Sequence, residues 1–422
     1  MTSLQGKKLL ILGSTTLISV IVSKAKEMGV YTIVTDNREY EKAPAKQIAD
    51  KYYNLSFSDI DAMKELIKQE QIDGVLTGFT DSYMEYYLKI CEETGLPCYG
   101  GYEQFMIATD KASFKKACLE SEVPVIPGMD VKDIEQAKAA AEEIGYPVFL
   151  KPADNSGSRG VIKCETREEL KEAFDYAYSF SACKTVILEK YMDCDNVAMS
   201  YFISDGYIKL STLNDRYLYV APDTGSSITS YAVYPSVYSN RYLEEADAKV
   251  KKMLLDHGFS DGMVSLQAFV DDNSFYFCEM CYRPSGGHHF YFIKDQNHID
   301  QLELLIRFAV NGSCYDSWNH ENENPMFAEK CGMLKIIGDP EKEIMAIEGM
   351  DEINKRSDVV QAYASKSVGD KLGKSGTTAQ TIGTIWYKAE SEEALKQKAE
   401  LLLSMLKVIY TDGSHKTWIA LN

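Results

Sequence analysis

The chain opens with a short apolar run, KLLILG at residues 8–13, followed by LISVIVSKAKEMGV, in which apolar residues return every three or four positions. A second run, YTIVTD, then ends at Asp36. Strand period, helix period and strand period in succession predict a βαβ unit. The rhythm continues through DAMKELIKQEQIDGVLTGFTD, whose helix ends before DGVLTG, and through a helix over residues 82–94. This alternation predicts a parallel sheet covered by helices.

After TDKASFKKACLES the pattern changes. The helical VKDIEQAKAAAEEIG precedes a strand, YPVFLKP, and a loop, ADNSGSRG; then come a strand, VIKCET, a helix over 168–178 and a strand, KTVILEKYM. From about Asn196 to Ser265 the period is two, crossed by one helix, YLEEADAKVKKMLLDHG. Two adjacent strands follow, MVSLQAFVDD and FYFCEMCYR, joined by the turn DDNS. From about Ala328 the elements are mixed: MLKIIG, TIGTIWYKA and the helix SEEALKQKAELLLSMLK. At 422 residues the chain exceeds the ~250–300 at which one core stops growing. The expected division is 1–108, an α/β parallel-sheet domain; 109–327, a two-lobed domain split at 192/193; and 328–422, an α+β domain.

Composition adds exclusions. With 63 acidic and 45 basic residues the formal charge is −18, which repels a phosphate backbone and argues against nucleic acid as a partner. No apolar stretch approaches the ~20 residues that span a bilayer, so no membrane is expected. Ten scattered cysteines in a long chain point to reduced thiols and a soluble, cytoplasmic protein. The loop GSTTLIS lacks Gly-x-Gly-x-x-Gly, which disfavours a nicotinamide cofactor and leaves the first unit as a scaffold with a small-substrate pocket at its strand ends.

Two stretches carry chemistry. Lys151 ends an apolar strand and is followed by Asn155, Ser156, Gly157, Ser158 and Gly160, small residues whose backbone N–H groups can close around anionic oxygens; this is not Walker spacing. FYFCEMCYRPSGGHHF, residues 275–290, first reads as a zinc signature through Cys278, Cys281, His288 and His289. In a regular strand, however, Cys278 and Cys281 point to opposite faces, while Glu279, Cys281 and Arg283 share one. Gln267 on the neighbouring strand can lie near Glu279, and such an oxygen cluster suits Mg²⁺. Asp215 and Arg216 read first as a surface ion pair, with Arg216 as an alternative clamp for a substrate carboxylate.

In their order, these residues resemble the ATP-grasp superfamily of carboxylate–amine ligases, and the match covers most of the chain. The resemblance implies an ATP-grasp fold with a Rossmann-like preceding domain and a C-terminal α+β domain. It also implies that Lys111 and Lys151, with the Ser156, Gly157, Ser158 and Gly160 loop, hold ATP phosphates, and that Glu189, Lys190, Tyr191 and Met192 form the hinge over adenine. Asp195 would take the ribose. Gln267 and Glu279 would hold Mg²⁺ or Mn²⁺, and Arg283 and Lys151 would serve catalysis. The pattern's metal-binding Asn is Cys281 here. RPSGGHH is similar to the corresponding stretch of purine-pathway aminoimidazole carboxylating enzymes, which makes Ser285, Gly286, Gly287 and His288, with Arg216, the candidate substrate residues. The implied activity joins a small carboxylic acid to an amine, through an acyl phosphate, in a homodimer. The alternatives are an ATP-binding regulatory module that has lost turnover and a purine-pathway-type carboxylating or formylating enzyme.

Overall fold

The computed structural model describes residues 3–154, 160–222 and 227–416. The first unit is a four-stranded parallel sheet in the order Lys51–Tyr53, Tyr31–Thr35, Lys8–Leu12, Gly74–Leu76. Leu9 to Leu12 are buried without interruption, as strands covered on both faces require. Helix Thr16–Glu27 turns Ile18, Ile21, Val22 and Ala25 onto that sheet, a 3.6-residue spacing.

A second, antiparallel sheet orders Gly128–Val131, Val186–Lys190, Val148–Pro152 and Ile162–Cys164. Its core includes Val148, Leu150, Val186 and Leu188, and Phe174 of helix Leu170–Ser179 packs into it. The largest sheet has eight strands: Phe275–Tyr282, Gly262–Val270, Asp195–Ser204, Tyr207–Val220, Ser227–Tyr234, Lys330–Ile337, Thr381–Ala389 and Val359–Ala364. It runs through the boundary expected at 328, because Lys330–Ile337 pairs with Ser227–Tyr234. One core joins this sheet to the parallel unit, and another lies between its far end and helix Glu392–Met405.

One local expectation changes. The single helix expected across residues 242–258 is two, Ser239–Glu245 and Asp247–Asp256, broken at Ala246. Asp247 sits in the first turn of the second helix, where its carboxylate also accepts from the Tyr201 hydroxyl at 2.9 Å, so a buried polar contact fixes the new start. The aromatic YAVYPSVYSNRY is core, with Tyr231, Tyr234 and Tyr242 buried. No helix among the described residues is long and apolar enough to cross a membrane, and all ten cysteines carry free thiols.

Gly74 marks where the parallel unit meets helix Gln301–Asn311. A Cβ there would lie 1.9 Å from the Ala309 carbonyl oxygen, a backbone atom that cannot swing away. Gly74→Ala is therefore expected to destabilise the protein by about 3 kcal/mol, read as a thermal midpoint lowered by several degrees; an unchanged midpoint would contradict this packing.

Candidate active site

The strands Gly262–Val270 and Phe275–Tyr282 meet at a turn whose Asp271 carboxylate accepts from the Asn273 and Ser274 amides at 2.8 and 2.9 Å. Gln267 faces Glu279 in register, and the register then shifts before Ala268, which pairs with Phe277. Cys278 is the extra residue, its thiol donating to the Gln267 carbonyl at 3.4 Å. The buried positions accordingly pass from Phe275 and Phe277 to Met280 and Tyr282. This β-bulge corrects the regular-strand reading: Cys278, Glu279 and Cys281 all fall on the side away from the core. Burial beside Glu279 pushes the Cys278 thiol up to about 12, and burial raises Cys281 as well, so neither is a ready thiolate. Among the described residues no group of three or more His, Cys, Asp or Glu side chains could hold a metal ion.

The facing wall comes from the second sheet. Lys151, near the end of Val148–Pro152, is ion-paired with Glu189 on the adjacent Val186–Lys190. Lys111 opens helix Lys111–Glu120, which Asp110 caps by accepting from the Ser113 amide at 2.8 Å. Burial, then repulsion from Lys151, lowers the Lys111 ammonium, while Glu189, Glu279 and Asp110 act to raise it. Lys111, Lys151, Glu189 and Glu279 therefore lie near one another, where the second sheet approaches the strand pair. Glu279 is exposed, and its carboxylate has no hydrogen bond or ion pair among the described residues.

The remaining sequence-based sites are distributed as follows. Gly160 has φ +77°, and a Cβ there would lie 2.7 Å from both Phe180 and Pro152, so this end of the loop requires glycine. Ser156, Gly157 and Ser158 lie outside the described residues. In the hinge, the Lys190 and Tyr191 amides donate to the Pro127 and Pro147 carbonyls at 2.9 and 3.0 Å. The Lys190 side chain is exposed, Met192 is half-buried, and Lys163 Nζ sits 3.9 Å above the Tyr191 ring. Asp195 accepts from the Tyr238 hydroxyl.

Arg216 overturns the surface ion-pair expectation. It is enclosed, has no acidic ion-pair partner among the described residues, and donates to Gln267 Oε1 at 2.5 Å, Asn196 Oδ1 at 2.6 Å and Thr229 Oγ1 at 2.8 Å. Two-residue alternation turns it inward, whereas Asp215 is held by Ser236 and the Val237 amide. Arg283 forms a two-pronged pair with Asp81 of the parallel unit, Nε to Oδ1 at 2.7 Å and Nη2 to Oδ2 at 2.6 Å. The Ser285 hydroxyl accepts from the Gly287 amide at 3.2 Å, the Gly287 carbonyl accepts from Trp386 Nε1 at 2.9 Å, and a Cβ on Gly286 would meet nothing within 4 Å. His288 is fully buried in left-handed backbone, φ +50°, with its ring 4.6 Å from that of Phe79, itself at φ +68°.

Sequence reasoning missed two residues. Asp81 reads as an ordinary first-turn helix residue. Lys335, the charged position within the apolar run CGMLKIIG, is enclosed beside Arg216, and its ammonium has no partner among the described residues. A lysine inside a strand that otherwise reads as core was the available signal.

The chain is similar to several known proteins. Residues 110–288 match the family described as carbamoyl-phosphate synthase L chain, ATP binding domain. The 2-oxoglutarate carboxylase small subunit of Hydrogenobacter thermophilus is 28% identical over 225 residues, covering 50% of this chain and 48% of its own length. The matched segment thus spans about half of that relative. The biotin carboxylase domain of that organism's 2-oxoglutarate carboxylase, solved with MgADP, ADP and bicarbonate, aligns with a TM-score of 0.79 at 19% identity, over 96% of this chain and 91% of that one. A formate-dependent phosphoribosylglycinamide formyltransferase of Bacillus velezensis is 26% identical over 285 residues, 66% of this chain and 71% of its own length. The L-amino acid ligase of Bacillus licheniformis has a TM-score of 0.78 at 17% identity, covering 96% and 99% of the two chains.

Cys281 lies across the strand pair from Ser265, beside Arg283 and Glu279. Its thiol is protonated and soft, so Cys281→Ser is expected to leave ATP turnover within a few-fold of wild type at all Mg²⁺ and Mn²⁺ concentrations. A loss of about a hundredfold that neither metal restores would make Cys281 a functional group.

Proposed function

We propose that this protein, which belongs to the ATP-grasp superfamily of carboxylate–amine ligases, activates a small carboxylic acid as its acyl phosphate and transfers the acyl group to an amine. ADP and phosphate are the by-products. The observation that carries this reading is the gathering of Lys111, Lys151 and Glu189 around Glu279, whose carboxylate has no partner among the described residues.

Such an arrangement suits phosphoryl transfer, where positioning and charge neutralisation supply most of the catalysis. A carboxylate oxygen of the acid attacks the γ-phosphorus as the bond from phosphorus to the ADP oxygen breaks. The amine nitrogen then attacks the carbonyl carbon, the bond to phosphate breaks, and the nitrogen loses a proton. Lys111 and Lys151 would flank the phosphates, and Asp81 holds Arg283 in place nearby. Glu279 fits Mg²⁺, since it is a hard oxygen donor without a competing partner. Gln267 fits less well, because Arg216 already donates to its side-chain oxygen. Bound Mg²⁺ would supply further neutralisation of phosphate charge. The L-amino acid ligase and formyltransferase likenesses support an acid and an amine as substrates, and the biotin carboxylase domain of Hydrogenobacter thermophilus, solved as a dimer, supports a homodimer. We place this chemistry in the cytoplasm, on the strength of the ten free thiols.

A second reading, an ATP-binding regulatory module, is favoured by Cys281 and by the engagement of Gln267 with Arg216. Phosphate release from ATP that needs an acid and an amine together supports the ligase. ATP binding without turnover across a broad panel of acids and amines supports the module. Within the ligase reading, Lys151→Ala is expected to raise the KM for ATP at least tenfold, and Glu279→Gln to abolish turnover with the thermal midpoint unchanged. Full activity in Glu279→Gln would remove this site assignment.

A further inference from the structure

The sheet face that carries Gln267 and Glu279 continues past Arg216. Arg216 pairs across the ladder with Ala232, and Ala232 with Met333. Lys335, two residues beyond Met333 on the same strand, therefore shares that face. One strand separates the backbones of Arg216 and Lys335, a gap of roughly 10 Å at ~4.8 Å per strand, and both long side chains rise from the same surface.

Among the described residues neither cation forms an ion pair. Arg216 is held by two amide oxygens and a hydroxyl, and Lys335 has no hydrogen bond or ion pair among the described residues. Burial, with repulsion from Arg216, pushes Lys335 down to about 8. Burial also holds His288 near 3 and His289 near 4, so both imidazoles are neutral at pH 7 and bring no counter-charge. His289 Nδ1 is engaged by the Tyr234 hydroxyl at 2.6 Å, whereas His288 Nε2 is buried without a partner. Enclosing two cations and an idle ring nitrogen is costly unless a bound anion meets them. On the ligase reading, Lys111 and Lys151 would take the ATP phosphates, which leaves Arg216 and Lys335 to another anion.

We propose that Arg216 and Lys335 form a two-point site for a dicarboxylic acid, with the reacting carboxylate at Arg216 beside Glu279 and the distal carboxylate at Lys335. One cation would suffice for a monocarboxylate; the second, a strand further from Glu279, fits a second carboxylate on a short carbon chain. The inference rests on the ligase reading and names its acid substrate class.

Phosphate release measured with succinate, glutarate, aspartate and glutamate against butyrate and alanine tests it, with a mixed amine pool present throughout. The wild-type enzyme is expected to favour at least one dicarboxylate over its monocarboxylate counterpart by about a hundredfold in kcat/KM. Lys335→Met should collapse that ratio to near one, mainly through KM for the dicarboxylate, and Lys335→Arg should keep most of it. Equal use of both classes by the wild type, or a ratio unchanged in Lys335→Met, overturns the dicarboxylate site and leaves the ligase reading standing. Absence of phosphate release with every acid, while calorimetry still shows ATP binding, removes the ligase reading and this inference with it.

Discussion

The cleft is organised by an imbalance of buried charge. Lys111, Lys151, Arg216 and Arg283 gather around Glu189, Glu279 and Asp81, with Lys335 beside Arg216, and burial makes uncompensated charge expensive. Asp81 takes Arg283 and Glu189 takes Lys151, which leaves Arg216 and Lys335 to neutral groups or to none. Such a site is pre-organised for anions, because the cations are already desolvated and held in place before any anion arrives. The rest of the fold holds these charges against their mutual repulsion.

Each unit contributes to that task. The second sheet supplies Lys151 and Glu189, and the eight-stranded sheet supplies Gln267, Glu279, Arg216 and Lys335 from one face. The parallel unit reaches in through the loop that ends at Asp81, fixed by Phe79 against His288. Two bulky residues in left-handed backbone touching at this junction are strained, and strain of this kind persists where surrounding packing over-determines it. Gly74 lets the helix behind the parallel sheet approach closely enough to provide that packing.

Much of this was legible in the sequence, because the signals were local. The opening βαβ rhythm marked the parallel unit and the short turn DDNS marked the strand pair, while the order of Lys111, Lys151, Glu189 and Glu279 carried only a family resemblance. The failures were non-local or one residue wide. The bulge at Cys278 leaves no mark in the alternation until burial is known, yet it moves Cys278 onto the face of Glu279. Arg216 follows an acidic neighbour and so imitates a surface pair, although the pleat sends the two side chains to different surroundings. Lys335 lies 119 positions beyond Arg216 by their residue numbers, and only the continuous sheet across residue 328 brings it there. Asp81 and Arg283, similarly, belong to separate units until the fold joins them.

An acid substrate labelled with ¹⁸O in its carboxylate puts the acyl-phosphate account to its most direct test. If a carboxylate oxygen attacks the γ-phosphorus and the amine later displaces phosphate at carbon, one labelled oxygen passes into the released phosphate at each turnover, as mass spectrometry of the phosphate would show. Released phosphate without label, alongside formation of the acid–amine product, would contradict the account.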